Sequence, residues 1–439
     1  MTVQWPRVDL EIVLLLEYLR CRLLKECSYQ VYTVTICFIS HSSEMGGAER
    51  VLLESIEALQ KRGHNCKVVL PANGLMQDAL ERIDVEYRII SFPLWGSSTG
   101  MHVAAWFKTV LGTIWNVVLV ARAVRQWKAS MVYTSTVTVC VGALAARLLG
   151  IPHIWHIQEF GRDDHGITFI LGENRSRRLV GTLSAKCIFV SATLATDYSP
   201  FIPREKIAVV YPCVQAVTSQ FGGANTQNKP SRSQIRFRCV IVGTVIEGKG
   251  QAISLQAIAL LKKAGSIVDL VIVGDGPPSY RSVLNEIIME NNLSNQVSFT
   301  GRLQDPSVEI RLADVLLVCS RREAFGRTTI EGMFAGKPVI GARSGATEEL
   351  IQNGVNGLLF RNGDAEELAA RILELKEHPD LTVRLGLAAQ AWAMNRFTAE
   401  RFADDLCSAL FPSSTVPLCT PALHDEISAI SVGSQPNQK

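Results

Sequence analysis

Two glutamates eight positions apart are the residues of this chain whose type and spacing say most about chemistry. They stand in Ser320-Arg-Arg-Glu323-Ala-Phe325-Gly326-Arg-Thr-Thr-Ile-Glu331, directly after the apolar run Val315–Cys319. That run reads as a buried strand, and a helix begins beyond Gly326. A carboxylate accepts hydrogen bonds from hydroxyl groups, so a pair of them suits the diols of a sugar and a ribose. Amides at the helix start, near Phe325 and Gly326, can hold phosphate or sugar oxygens with the help of the dipole. The glycine lets backbone approach a ligand closely. The combination fits a nucleotide-linked sugar. The competing reading is that both glutamates are solvated helix residues, the ordinary place for a charge.

Such a site needs elements to hold it. Val31–Ser40 is β-branched and apolar, the pattern of a buried first strand. A polar loop with Gly46 and Gly47 follows, then a helical periodicity over Ala48–Gln60 with Gly63 as its stop. Cys66–Leu70, Met131–Thr134, Ile154–Ile157 and Lys186–Ser191 read as later strands. Residues 216–236 form a polar linker, richest in Ser, Asn, Gln and Gly over Ala216–Gln234. The alternation then restarts: strand Cys239–Gly243, helix Gln251–Ala264, strands Leu270–Gly274, Val297–Thr300, Val315–Cys319 and Pro338–Gly341. Strand–helix alternation on this scale predicts an α/β fold of two Rossmann-like domains with parallel sheets, facing across a cleft. Ligands of such sheets bind at the carboxyl ends of the strands. The layout expected is an N-terminal extension at 1–30, a first domain at 31–215, the linker, and a second domain at 237–395. A helix at 396–411 can cross back to the first domain, ahead of a disordered tail at 412–439.

The motif set as a whole resembles the family 4 retaining glycosyltransferases, which have the GT-B fold. Glu323 and Glu331 are similar to that family's Glu-x7-Glu. Val242-Gly243 to Glu247-Gly-Lys249-Gly250 looks like its strand-turn with a phosphate-binding lysine, and Val271-Ile-Val-Gly274-Asp275-Gly276-Pro277 like its next strand-end loop. Phe299-Thr-Gly301, Ala313-Asp314-Val315, Gly336-Lys-Pro338-Val339 and Ser344-Gly345-Ala346-Thr347-Glu348-Glu349 agree in order. Gly46-Gly47-Ala48-Glu49 matches the glycine loop after the first strand. A lone Gly-Gly would say little; the ordered set is specific.

The resemblance implies roles. Glu331 would bind the nucleotide ribose and Glu323 the donor sugar hydroxyls. Phe325 and Gly326 would offer backbone amides, and Lys249 would pair with the diphosphate. Gly46, Gly47, Gly243, Thr244 and Gly274 would line the donor. Two departures stand out. Thr244 occupies the place where many relatives carry an arginine, so Lys249, or Arg321, Arg322 or Arg327, would take on that charge. The family's first-domain histidine aligns with Gln158 rather than His156, leaving His156, Gln158 and Glu159 as alternatives for touching donor sugar or acceptor.

Composition limits the alternatives. A formal net charge of +3 over 439 residues gives no case for a nucleic-acid partner. Eleven cysteines include no CxxC pair and no zinc-like spacing, so no metal ligand set is expected. Cys37, Cys140, Cys187, Cys239 and Cys319 lie in apolar runs and read as buried small hydrophobes. Val8–Leu24 is interrupted by Asp9, Glu11, Glu17, Arg20 and Arg22, which fits neither a secretory signal nor a spanning helix. The expectation is a cytoplasmic enzyme. Trp106–Trp127, apolar and then basic, reads chiefly as a packed helix with a solvated end, with transient contact at the inner membrane face left open.

The activity expected is transfer of a sugar from a UDP- or GDP-sugar to a carbohydrate or lipid-linked acceptor hydroxyl, in polysaccharide or glycolipid assembly. No cofactor or divalent metal is expected. A GT-B-type epimerase and a non-catalytic nucleotide-sugar binder are the alternatives.

Overall fold

Ile36, Cys37, Phe38 and Ile39 are fully shielded from solvent in strand β1 (Thr35–Ile39), as a strand covered on both faces requires. The computed structural model describes residues 33–97, 103–214 and 236–411. The expectations for 1–30, for nearly all of the linker and for 412–439 fall outside them. After β1 comes helix α1 (Gly47–Lys61), with Gly46 as its N-cap. Glu49 returns its carboxylate to the Gly46 amide at 3.0 Å, satisfying a donor the helix leaves over.

Strands β2 (Asn65–Leu70) and β3 (Glu86–Ile89), helix α2 (Val103–Gln126) and strands β4 (Met131–Ser135), β5 (His153–Ile157) and β6 (Lys186–Phe189) follow, then helix α3 (Ala192–Tyr198) and β7 (Ile207–Val209). They build one parallel sheet in the order β3-β2-β1-β4-β5-β6-β7. The second sheet repeats the scheme with β8 (Phe237–Val242), α4 (Gln251–Lys263), β9 (Val268–Val273), β10 (Val297–Gly301), β11 (Val315–Val318), α5 (Arg327–Phe334), β12 (Val339–Ala342) and β13 (Leu358–Phe360). Its order is β10-β9-β8-β11-β12-β13, again all parallel. In each sheet the first strand lies between the second and the fourth, so the winding direction reverses beside it. That reversal opens a crevice at the strand ends. The fold is two Rossmann-like α/β lobes.

Helix α6 (Ala399–Leu410) packs on α1, far from the second lobe's sheet in sequence order but joined to the first lobe's core. Phe402, Leu406 and Leu410 are buried with Leu52, Ile56 and Leu59, and Arg62 meets Asp404 at 2.6 Å. Each such side chain contributes about 2 kcal/mol by burial. In α2 the apolar residues Val120, Ala121 and Val124 are buried while Arg122 and Arg125 are exposed; Ile114 and Trp115 are also exposed. Among the described residues no helix is long and apolar enough to cross a membrane.

Candidate active site

A cavity of about 930 Å³ lies between the lobes at the C-terminal edges of both sheets. Gly46, Gly47 and Gln158 line it from the first lobe. Gly243, Thr244, Lys249, Gly274, Glu323, Phe325, Gly326 and Glu331 line it from the second. The residues singled out in the sequence are therefore brought to one place, with the exceptions of His156 and Arg321.

Lys249 and Glu323 come from different strand ends and meet at 2.9 Å between Nζ and Oε2. Their meeting is built by backbone. The short 3-10 turn Glu247–Lys249 follows β8, and its Gly248 carbonyl accepts the Arg321 amide at 2.8 Å. Gly250 closes the turn at φ 73°, and a Cβ there would lie 2.0 Å from the Cys319 carbonyl oxygen. Only glycine permits this approach of the turn to the end of β11. The Glu323 carbonyl accepts the Ala346 amide at 2.8 Å, which fixes the loop from the other side. Both side chains keep some exposure to the cavity, so the pair can exchange partners when a ligand enters.

Glu331 is held differently. Its Oε1 lies 3.3 Å from Arg327 Nε, and Arg327 also grips Glu54 of α1 with its two terminal nitrogens at 3.1 and 2.7 Å. Burial pushes the carboxyls of Glu54 and Glu331 upward from their usual values, and Arg327 opposes the rise at both. Gly326, at φ 90°, turns the chain into α5 immediately before this cluster. Arg327 is thus not a spare cation for a phosphate, as the sequence allowed; two carboxylates engage it. Arg322 is likewise engaged, by Asp197 of α3 at 2.8 Å and over the Phe160 ring at 3.8 Å. Arg321 is absent from the cavity wall.

His156 requires a correction. It is fully buried, its Nδ1 lies 2.7 Å from the Tyr133 hydroxyl, and burial lowers its pKa to about 3. It shares a strand face with Gln158 but sits two residues deeper, about 6 to 7 Å along the strand. That distance separates a core side chain from a cavity side chain. Gln158 is the one at the rim, donating to Ser135 Oγ at 2.9 Å. Glu159 beside it is buried yet borders the cavity. Its carboxylate accepts the Val137 amide at 2.5 Å and the Gln158 amide at 3.2 Å. Burial raises its pKa to about 8, against those two amides and with Asp164 adding to the rise. This carboxyl steadies a loop in which Thr136 adopts φ 69°, an uncommon conformation for a β-branched residue. Thr136 and Thr138 join through their hydroxyls at 2.8 Å and both border the cavity. No sequence signal marked this loop, because a threonine, unlike glycine or asparagine, does not point to a positive φ.

Sequence profiles decide the family. Residues 45–216 match the profile described as Glycosyltransferase Family 4, and residues 225–392 match that of Glycosyl transferases group 1. The chain belongs to the family 4 glycosyltransferases.

Similar proteins agree with this. The chain is 29% identical over 254 residues to an uncharacterized glycosyltransferase of Methanocaldococcus jannaschii, a match covering 56% of this chain and 65% of that one. It is 32% identical over 160 residues to the putative glycosyltransferase EpsD of Bacillus subtilis, covering 36% and 41% of the two chains. Both matches span less than two thirds of the relatives' own length. Among solved structures, Anabaena HepE in complex with UDP-glucose superposes with a TM-score of 0.70 at 24% identity, over 86% of this chain and all of that one. The sucrose-phosphate synthase of Thermosynechococcus elongatus gives 0.68 at 17% identity, over 87% and 100%. These neighbours carry the GT-B fold.

The lobes are tied across the cleft on more than one side. Glu349 of the second lobe accepts the backbone amides of Ala192 and Thr193, at 3.1 and 2.6 Å, at the start of α3. The Tyr211 hydroxyl donates to the same carboxylate. Arg302 donates to the Met45 carbonyl at 2.8 Å, next to the glycine turn. With Arg322–Asp197 and Arg327–Glu54, these contacts hold the two walls of the cavity at a short separation.

Proposed function

We propose that this glycosyltransferase takes a sugar from a nucleoside diphosphate sugar and gives it to an acceptor hydroxyl with retention at the anomeric carbon, without a divalent metal. The observation that carries the reading is the Lys249–Glu323 pair, 2.9 Å apart in the cavity wall, with Glu331 and the Gly46-Gly47 turn bordering the same space. Glu331 holds the ribose and Glu323 the donor sugar. Lys249 and the amides at the start of α5 offset the charge that develops on the leaving diphosphate. The new C–O bond forms on the face from which the diphosphate departs. The departing phosphate oxygen takes the acceptor's proton, so no protein nucleophile is needed. Gln158 and the Thr136–Thr138 loop face this space from the first lobe, the side assigned to the acceptor. Closed lobes exclude water and limit hydrolysis of the donor.

Relatives support the donor class and leave the base open. One solved neighbour is a complex with UDP-glucose. A relative from Mycobacterium tuberculosis, 27% identical over 180 residues, is named a GDP-mannose-dependent phosphatidylinositol monomannoside mannosyltransferase. Assembly of a polysaccharide or glycolipid is the process proposed, in the cytoplasm, with the acceptor presented free or at the membrane face.

A thermal-shift screen of UDP- and GDP-sugars tests the reading, because a true donor stabilises the folded chain by mass action. The expected result is a rise in Tm with one of them, lost in Glu331→Ala. Turnover in excess chelator and the anomeric configuration of the product test the remaining parts. Inversion, or full dependence on added metal, would overturn the mechanism; no shift with any nucleotide-sugar would overturn the function.

A further inference from the structure

Arg50 belongs to no motif that points to the donor, yet it stands at the cavity. It lies in the first turns of α1, its amide bonded back to the Gly46 carbonyl at 3.2 Å. Its side chain borders the donor cavity and also a second cavity of about 770 Å³, which continues past Glu331 between α1 and α5. The residue is half-buried, and its guanidinium makes no hydrogen bond or ion pair among the described residues. The neighbouring arginines differ. Arg327 is taken by Glu54 and Glu331, Arg322 by Asp197, and Arg302 donates to Met45. Lys249 is tied to Glu323.

Arg50 is nevertheless near charge. Burial raises the Glu331 carboxyl, and Arg327 and then Arg50 oppose that rise; at Glu54 Arg50 acts in the same direction. The guanidinium therefore lies at the end of the cleft where Glu331 stands, close to carboxylates but bonded to none. A guanidinium presents its donors in a rigid planar fork that matches phosphate two bonds at a time. Partial desolvation without an acceptor is unfavourable, and a bound anion removes that cost.

We propose that Arg50 is a donor-binding residue contributed by the first lobe, whose guanidinium bonds the phosphate groups of the nucleoside diphosphate resting on Glu331. This rests on the reading of the cleft as a nucleotide-sugar site. It supplies, from the opposite wall, the second cation that Thr244 does not provide. Full affinity for the diphosphate then requires both lobes, whereas affinity for the nucleoside does not.

Calorimetric titration of the whole protein with UDP, GDP, uridine and guanosine tests this, using wild type, Arg50→Gln, Arg50→Lys and Glu331→Ala. The expected result is that Arg50→Gln weakens diphosphate binding at least about tenfold, or about 1.4 kcal/mol, while binding of the free nucleoside is unchanged. Arg50→Lys recovers part of the loss, and the salt dependence of diphosphate binding becomes shallower in Arg50→Gln. Arg50 has no hydrogen bond or ion pair to lose among the described residues, only the longer-range attraction of Glu331, Glu54 and Asp305, so the Tm of the unliganded variants should change little. Diphosphate binding that survives in Arg50→Gln but falls in Glu331→Ala overturns the inference alone. An equal loss for nucleoside and diphosphate also overturns it, since that is the mark of a packing role. A wild-type protein that binds neither diphosphate overturns the reading of the cleft itself.

Discussion

At the scale of single residues, Lys249 and Glu159 make opposite kinds of prediction. Lys249 forms a partly exposed ion pair with Glu323, and such pairs contribute at most about 1 kcal/mol to stability. If Lys249 meets the leaving diphosphate, Lys249→Ala should cut turnover at least about tenfold, a barrier rise of about 1.4 kcal/mol, with Tm almost unchanged. Rate and melting measurements on one preparation decide this; a large fall in Tm with normal turnover would remove Lys249 from the chemistry. Glu159 is buried, and its carboxyl is raised from 4.5 to about 8. The folded chain binds that proton more tightly than the unfolded chain. The resulting stability is complete below pH 4.5 and is lost as pH rises through about 8. Glu159→Gln keeps an acceptor for the Val137 amide and cannot ionise. Its Tm should therefore gain on wild type as pH is raised from 5 to 9 on a melting series, by about the same sign and range as the linkage predicts. A constant difference across that range would contradict the assignment.

At the scale of elements, the site depends on how closely two strand-end loops approach. The turn carrying Lys249 touches the end of β11 because Gly250 has no side chain. In Gly250→Ala the new methyl group meets the Cys319 carbonyl and the φ of 73° is disfavoured. The turn must lift, taking Lys249 away from Glu323. The expected cost is roughly 1–3 kcal/mol of stability, together with a loss of turnover comparable to Lys249→Ala. Melting and rate measurements check both parts. Stability lost without turnover would mean that the turn does not position Lys249.

At the scale of the whole molecule, Glu349 is the tie whose removal touches no donor-binding group. It accepts amides at the start of α3 from 150 or more residues away in the chain. Glu349→Ala should let the lobes separate, giving a larger radius of gyration in solution scattering without ligand and a higher donor KM. A bound nucleotide should restore the smaller radius. An unchanged radius and KM would show that the remaining ties suffice.

Much of the architecture was legible in the residues. Strands such as β1, β8 and β11 sit in runs that are mostly apolar and mostly buried, so their positions follow from local composition. The glycine turns and the Glu323–Glu331 spacing are local as well, which is why the site's second-lobe half and its family could be read before any coordinates. The strands β3, β7 and β13 are missed: β3 and β7 are edge strands with little buried, and β13 is only three residues long, so none carries a distinct pattern. Tertiary structure alone decided the rest: that His156 lies in the core while Gln158 reaches the cavity, that Arg327 is consumed by Glu54, and that Arg50 makes no hydrogen bond or ion pair among the described residues. Arg327 and Glu54 are 273 positions apart. Local pattern reports whether a side chain prefers oil or water; which charges meet, and which remain unpaired, is set only when two lobes close on each other.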